Sequence, residues 1–326
     1  MEIIFLGTSS GVPTKHRNVS ALAVKMVRSK AWYLVDCGEG TQHQILHTHL
    51  SLNNLQAIFI THMHGDHCYG LPGLLASATM SGRKDILTII GPDNIREFIE
   101  NTQTTTQMRL SYNINFINIE NISPGYQVND FIIEVVELSH RVPSFAYCFI
   151  EKNISGKLNI QKLKDKGIEP GPVWKQLQLG KDSVLSNGDL LISKDYILDA
   201  RKPRKIIVAG DNDNPGLLAK SSKSATVLIH EATYTAEVAD KVGKGPQHSS
   251  AKIIAQFAMD YSISNLILTH FSPRYQNTNK EGLSISDVES EAGNFYNGNL
   301  FLANDFDTFH LKQDGELFKV KSESKL

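Results

Sequence analysis

Cysteine is scarce in this chain, with Cys37, Cys68 and Cys148 alone among 326 residues. They are odd in number, far apart and form no CxxC pair. That excludes a disulfide framework or a cysteine-rich zinc knuckle and points to a reducing compartment. Cys68 follows a histidine-rich stretch, but a small buried side chain is the simpler reading. No apolar run approaches the ~20 residues of a membrane span. The N-terminus, Met1-Glu2-Ile3-Ile4-Phe5-Leu6-Gly7, is too short for a signal-peptide core and has no basic leader, so it reads as the first strand of a cytoplasmic protein. An excess of one charge is also missing, since 33 Lys and Arg against 34 Asp and Glu leave −1. Global charge gives no support for nucleic-acid binding, although phosphate recognition needs positive charge only where the phosphates lie. There is no internal repeat.

Hydrophobic residues make up 41% and charged residues 21%, which excludes a disordered or low-complexity chain. The length allows one large domain or two ordinary ones, and a chain of this size buries about three quarters of its unfolded surface without staples. Short β-rich runs recur: 3–6, 21–27, 32–35, 57–60, 86–90, 131–138, 145–150, 205–209, 226–229, 266–268 and 300–303. Several are continuously apolar, as strands covered on both faces are. Residues 250–262 and 284–296 carry apolar positions at helical spacing, the first with Ser249 or Ser250 as its cap. The mixture predicts an α/β fold of two packed sheets with helices outside.

Residues 151–204 break this rhythm. They are lysine-rich, punctuated by Gly and Pro, and net +3 between 151 and 182. A structureless connection of that length is uncommon unless it has a job, so the segment reads as an insertion projecting from the main domain.

The densest chemistry lies in Thr61-His62-Met63-His64-Gly65-Asp66-His67, preceded by the strand run 57–60 and followed by Gly70-Leu71-Pro72-Gly73. A strand ends, a tight turn carries three imidazoles and a carboxylate, and a helix begins. Imidazole nitrogen and carboxylate oxygen suit borderline metals such as zinc. His62 and His64 can point at one ion, Asp66 and His67 at a second. So short a loop cannot fill two coordination shells, and the missing ligands must come from elsewhere. His140, Asp211 and His270 each stand just past an apolar strand run, as His62 does, and ligand sites in layered α/β proteins gather at strand C-terminal ends. Asp36 ends another such run and reads as a residue that orients a ligand by hydrogen bonding.

These residues together resemble the metallo-β-lactamase superfamily and, within it, the ribonuclease Z (tRNase Z) family, short form. The HxHxDH motif is shared by lactonases, glyoxalases and β-lactamases, so alone it marks only the chemistry. Four further stretches resemble motifs of the nuclease: Pro13-Thr14-Lys15-His16-Arg17-Asn18; His230-Glu231-Ala232-Thr233; Ile168-Glu169-Pro170-Gly171-Pro172 with Leu177 and Gly180; and Leu268-Thr269-His270-Phe271-Ser272-Pro273-Arg274-Tyr275. The resemblance runs from Ile3 to about Phe309. At His248-Ser249-Ser250 the family usually has His-Ser-Thr, a change that keeps the hydroxyl.

The resemblance implies a four-layer αβ/βα sandwich over residues 1–326 with a protruding flexible arm at 151–204 that binds tRNA. It implies two zinc ions per subunit, one on His62, His64, His140 and Asp211, the other on Asp66, His67, Asp211 and His270. It gives Asp66 the task of orienting or deprotonating the attacking water. His248, supported by Glu231, would protonate the departing ribose oxygen. The expected reaction removes the 3′ trailer from precursor tRNA, leaving a 3′-hydroxyl and a 5′-phosphate. A homodimer is implied, in which one subunit's arm grips the tRNA cut by the other. Lys15, Arg17 and Arg274 are expected to touch phosphate or RNA, as are Gly171 and Pro172.

Other polar residues have plainer readings. His43 and His47 lie at i and i+4 on an expected helix without the glutamate of HExxH, and His49 and His310 carry no visible context. The run Arg201-Lys202-Pro203-Arg204-Lys205 fits a solvated turn at least as well as a phosphate contact. Two other functions compete: a small-molecule phosphodiesterase or other hydrolase of the superfamily, and a non-catalytic RNA-binding member. The lysine-rich insertion argues against the first, because a small substrate needs no arm. The complete ligand set and the His248 and Glu231 pair argue against the second.

Overall fold

The computed structural model describes residues 1–152, 154, 157–198, 201–276 and 282–320. The chain divides into two compact units, one of Met1–Phe149 with Lys205–Leu326, the other of Ile150–Arg204.

In the larger unit one sheet has eight strands: β1 (Glu2–Gly7), β2 (Ala21–Lys25), β3 (Trp32–Val35), β4 (Leu55–Phe59), β5 (Leu87–Gly91) and β6 (Ile114–Asn118), closed at its other edge by β18 (Thr308–Leu311) and β19 (Leu317–Lys319). Their order is β19-β18-β1-β2-β3-β4-β5-β6. The second sheet has seven, with β7 (Tyr126–Gln127), β8 (Phe131–Leu138) and β9 (Ser144–Glu151) followed by β14 (Lys205–Ala209), β15 (Val227–Glu231), β16 (Asn265–Thr269) and β17 (Asn299–Leu302). Their order is β17-β16-β15-β14-β9-β8-β7. Neighbours β3 to β6 run parallel, as do β14 to β17. Both parallel blocks therefore finish their strands with loops at a common end.

Alternation along the strands builds the layers. Ile3 and Phe5 of β1 join Val24, Tyr33, Phe59, Phe131, Phe149, Ile206, Val208, Ile229 and Ile267 between the sheets. Ile4 and Leu6, pointing the other way, pack with Leu34, Ile58, Leu71, Leu74 and Leu75 under the helix Leu71–Met80. On the far side Ile207, Leu228, Leu266 and Leu268 pack with Ile254, Ala258, Val288 and Ala292, which lie on the helices Ala251–Asp260 and Ile285–Phe295. The result is the expected four-layer sandwich. Each fully buried apolar side chain is worth roughly 1.5–3 kcal/mol, and a one-residue slip of a strand would turn its whole apolar set to the wrong face. Ser250 caps the first of those helices by accepting from Ile253 N–H, and Ser284 with Asp287 forms a capping box on the second.

Close approach of the two sheets is concentrated at one end. Tyr147 donates its hydroxyl to the Ile60 carbonyl at 2.7 Å, and Phe145 N–H donates to the Thr61 carbonyl at 3.1 Å. Gly210 has no room for a side chain there, since a Cβ would stand 2.7 Å from Thr61 Cβ and 2.8 Å from Ser144 Oγ.

The smaller unit holds a core of its own, in which Leu163, Ile168, Leu177, Leu191 and Tyr196 are buried. Its regular elements are short: the helices Ile160–Asp165, Pro172–Gln178 and Ser193–Tyr196, with strands β10 (Lys157–Leu158), β11 (Ser183–Val184), β12 (Leu190–Leu191) and β13 (Ile197–Leu198). Gly171 and Pro172 open the second helix, with proline in the first turn, where its missing N–H costs nothing. Arg201 makes a bidentate contact with Glu151 at 2.7 Å for each bond, and Arg204 Nε reaches the same carboxylate at 2.9 Å. These two arginines are spent on Glu151 rather than left as a free basic turn.

Candidate active site

Loops at the common end carry the chemistry. Asp36 directly follows β3 and His270 directly follows β16, both at positive φ, 58° and 59°. Such a conformation costs a non-glycine residue about 1–3 kcal/mol and lasts only where neighbours enforce it. Asp36 N–H donates to Phe59 O at 2.8 Å, and on either side of His270 the main chain is tied by Ala232 N–H to Thr269 O at 2.9 Å and by Phe271 N–H to Thr8 O at 2.9 Å. His62 and His64 follow β4, His140 follows β8, Asp211 follows β14, and Glu231 is the last residue of β15.

Two donor sets converge across one carboxylate. His62 Nε2 and His140 Nε2 each lie 3.1 Å from His64 Nδ1, and Asp211 Oδ2 is 3.6 Å and 3.7 Å from His62 and His140. On the other side His67 Nε2 is 3.2 Å from His270 Nε2, and His270 Nε2 is 3.3 Å from Asp66 Oδ2. The second oxygen of Asp211, Oδ1, is 3.5 Å from His67 and 3.3 Å from His270. Either set places its donor atoms within 4.8 Å of one another. Asp211 thus faces both sets, one oxygen to each.

The opposite edge of four of the five rings is held. His67 Nδ1 meets Asp36 Oδ2 at 2.7 Å, His62 Nδ1 meets Thr61 Oγ1 at 3.0 Å, His140 Nδ1 meets the Gln247 carbonyl at 2.9 Å, and His270 Nδ1 meets Thr233 Oγ1 at 3.0 Å. Such contacts fix the ring and its tautomer in metal sites. Asp36 also accepts from Thr61 N–H at 2.8 Å and Oγ1 at 2.9 Å, so it orients two loops at once. Burial, followed by the surrounding imidazoles, holds His62 well below the usual histidine range, which keeps its ring neutral for ligation. Burial opposes a charge on His67 as well, but Asp66, Asp36 and Asp211 draw it up to about 10. Three carboxylates around that ring call for positive charge, and a cation on the Nε2 side meets the demand. The donor chemistry therefore fits metal.

Asp66 Oδ2 also accepts the backbone N–H of Gly11 at 2.7 Å. Burial would raise the Asp66 carboxyl; His67 and His270 hold it far below the usual carboxylate range. The loop that delivers Gly11 is the one containing Arg17, and here the expectation is corrected. Arg17 is buried, its Nη1 donating to Thr8 Oγ1 at 2.7 Å and to the Ala303 carbonyl at 2.6 Å, its Nη2 to Asn304 Oδ1 at 2.9 Å. Its guanidinium also lies over the Phe271 ring, 4.9 Å from the centroid. Arg17 is a strut inside the loop and has no face for RNA. Lys15 and Arg274 are exposed, as are Gly171 and Pro172.

Glu231 and His248 form the expected pair, Oε1 to Nδ1 at 3.0 Å. Oε1 also accepts from Asn212 N–H at 3.0 Å and Ser249 N–H at 3.2 Å, while Thr233 donates its hydroxyl to Oε2. Burial would raise Glu231; the charge and hydrogen bond of His248 keep it well below its ordinary value. Burial would lower His248, but Glu231, with help from Asp211, carries it to about 9. The ring sits beside both donor sets, its centroid 5.2 Å from that of His140 and 5.5 Å from that of His270.

Two residues of this network carried no sequence signal: Asn212, which acts through hydrogen bonds to distant loops, and Gln247, which acts through a main-chain carbonyl that any residue would supply. Thr61, His230, Thr233 and Ser249 stood inside quoted motifs, but without the hydrogen-bonding roles they have here. His43 and His47 do not form a helical pair, because the helix Thr41–Ile45 ends before His47. His49 and His310 both reach Glu2, at 3.2 Å and 2.7 Å. Lys205 pairs with Glu134 at 2.7 Å.

Residues 1–156 match a family model described as Anti-Pycsar protein Apyc1. Over 320 residues the chain is 52% identical to ribonuclease Z of Marinobacter nauticus, a match covering 98% of this chain and 99% of that protein. It is 46% identical to ribonuclease Z of Pseudomonas putida, with 98% and 99% covered. Among solved structures, human tRNase Z, short form, aligns with a TM-score of 0.65 and 26% identity, over 96% of this chain and all of that one. The metallo-β-lactamase fold protein YhfI from Bacillus subtilis aligns at 0.63 and 16% identity, over 94% and 98%, a likeness of fold alone.

Proposed function

The chain belongs to the ribonuclease Z family, a metal-dependent tRNA 3′-processing endoribonuclease, and on that premise we propose how its own residues divide the work. Two zinc ions would be held, one by His62, His64, His140 and Asp211, the other by Asp66, His67, Asp211 and His270. When bound, the ions supply positive charge to the attacking water and the scissile phosphate. The observation that carries this reading is Asp211, with one carboxylate oxygen turned to each donor set.

Asp66, steadied by Gly11 N–H, orients the attacking water or takes its proton. His248 has Nδ1 committed to Glu231, which leaves Nε2 for substrate. Burial works against a charge on that ring, but Glu231 favours its protonated form, in which it can pass a proton to the ribose 3′ oxygen as the P–O bond breaks. The products are a tRNA ending in a 3′-hydroxyl and a trailer beginning with a 5′-phosphate. Glu231 positions the donor and balances its charge.

In this reading residues 151–204 grip the tRNA. Support comes from the exposed Lys162, Lys164, Lys166, Lys175 and Lys181 around a separately cored unit, and from the exposed Gly171 and Pro172. Lys15 and Arg274 would meet phosphate nearer the cut. The active form is a cytoplasmic homodimer, as the family likeness implies. No described helix is long and apolar enough to cross a membrane.

The test is to incubate the protein with a 3′-extended tRNA precursor and, separately, with bis-(p-nitrophenyl) phosphate, before and after chelation and zinc return. Cleavage of the precursor to the stated ends, lost on chelation and regained with about two zinc ions per subunit, is expected. Activity on the small diester with none on the precursor would favour a small-molecule phosphodiesterase. Light scattering decides the oligomeric state.

A further inference from the structure

Phe306 is 42% exposed yet held at φ 68°. A bulky side chain at positive φ is a genuine outlier, and it persists only where the surroundings over-determine it. They do so here. Phe306 N–H donates to Phe5 O at 2.7 Å. The preceding residue, Asp305, accepts from Thr8 Oγ1 at 2.7 Å, Asn18 N–H at 2.6 Å and Gln44 Nε2 at 3.0 Å. Gln44 also donates to Leu6 O at 2.8 Å, tying the helix Thr41–Ile45 to the same place. Every one of these bonds is made by main chain or by other side chains, so glycine at 306 would keep them all and relieve the strain. The backbone and its hydrogen bonds give no reason for an aromatic ring at this position.

The ring does not stand alone. His47 lies edge-on to it with centroids 5.6 Å apart at 68°, and His43 lies edge-on to His47 at 5.2 Å and 71°. Both histidines are exposed. Two separate segments thus present three rings in a row to solvent, on a rigid mount. The loop that braces the mount through Thr8 and Asn18 also delivers Gly11 to Asp66, so the rings and the reaction centre share one strut.

We propose that Phe306, His47 and His43 form a stacking platform for an unpaired base of the precursor RNA. The inference rests on the tRNA-processing function above, whose substrate carries a single-stranded extension at the cut. Unpaired bases are bound chiefly by stacking on aromatic and histidine rings, and a rigid exposed ring loses little entropy when it takes one. Imidazole nitrogens beside the ring add donors and acceptors for a base edge.

The test uses the full-length zinc-loaded protein and a precursor tRNA with 2-aminopurine at each unpaired 3′ position in turn. Phe306→Ala should raise KM for the precursor about 10-fold, within the usual value of one base stacked on one ring, while kcat and the melting temperature hold. Phe306→Trp should restore KM, and Phe306→Leu should not. In the slow His248→Ala background, one 2-aminopurine position should be quenched on binding, and the added Phe306→Ala change should abolish that quench. If the wild-type protein leaves the precursor intact, the tRNA reading falls and the platform falls with it. If wild-type and Phe306→Ala proteins cut with the same KM and quench alike, the platform alone is overturned. Rescue by leucine equal to that by tryptophan would also overturn it, as the mark of an apolar protein contact.

Discussion

The imidazole of His230 stands 3.1 Å from the carboxamide of Asn212, and neither side chain reaches solvent. His230 Nδ1 is spent on the Glu231 carbonyl at 2.8 Å, so Nε2 is the acceptor and the Asn212 amide the donor. Burial, foremost among its influences, keeps His230 below the usual histidine range, as an acceptor nitrogen requires. Asn212 passes the constraint on. Its Oδ1 accepts from Ser139 N–H at 3.2 Å, beside His140, and its own N–H holds Glu231.

Replacing His230 by leucine should therefore strand the Asn212 amide in the interior at a cost of about 1–3 kcal/mol. Because Ser139, beside His140, and Glu231 are both bonded to Asn212, precursor kcat should fall roughly 10–100-fold, as is typical when a residue supporting metal ligands is lost. Steady-state kinetics with a melting curve and zinc content check this. A lowered melting temperature with unchanged kcat would reduce His230 to packing.

Losing His248 and losing Asp66 should look different. His248→Ala removes a proton donor and no metal donor in the proposed sets, so zinc content should stay near that of the parent. Cleavage should drop about 10²–10⁴-fold. Asp66→Ala removes a donor and should cost both metal and activity. Metal analysis beside single-turnover rates separates the two; equal zinc loss in both would move His248 into the metal shell.

Replacing residues 151–204 by a short Gly/Ser linker should destroy precursor processing and spare hydrolysis of bis-(p-nitrophenyl) phosphate. The proposed ligands and the Glu231 and His248 pair lie outside this segment. The larger unit also keeps its own apolar core. Affinity of the intact protein for tRNA should fall steeply with salt, through lysine contacts to phosphate, and the deletion should flatten that slope. An unchanged slope would mean that the grip lies elsewhere.

Acid should act on the smaller unit through Glu151. Burial would raise its pKa, but Arg204 and Arg201 pull it from an ordinary 4.5 to about 2. A depressed carboxylate stabilises the fold fully above its unfolded value and loses that contribution as pH falls through the folded one. Unfolding of this unit, followed by Trp174 fluorescence, should become easier between about pH 4.5 and 2. Glu151→Gln should be weaker at neutral pH and nearly flat across that window. An identical acid profile in the two proteins would exclude Glu151 as the cause.

Much of the fold was legible because apolar runs of strand length are hard to mistake: 32–35, 131–138 and 205–209 fall where strands lie, and most others within one or two residues. In the two large sheets β6, β7, β18 and β19 were missed. All four lie at or next to a sheet edge; β7 is only two residues long, and Ile114–Asn118 and Thr308–Leu311 mix polar with apolar residues, which weakens the pattern. The site was legible where a donor directly follows a strand, as with Asp36, Asp211 and His270. It was illegible where function depends on direction. Arg17 sits in a motif beside the reaction centre, yet its side chain turns inward, and nothing in local spacing reveals that turn. Asn212 meets Ser139, and Thr233 meets His270, tens of residues away, which only the folded chain brings near.

Gly210 gives the sandwich its calliper. His62, His64, Asp66 and His67 hang from the first sheet, while Asp211, one residue beyond Gly210, hangs from the second with His140 and His270. The gap between them is set where Gly210 lies flush against Thr61 and Ser144. A single methyl group inserted there would be a wedge at the hinge point of the jaws. The span between the two halves of the centre is thus gauged by a residue with no chemistry of its own.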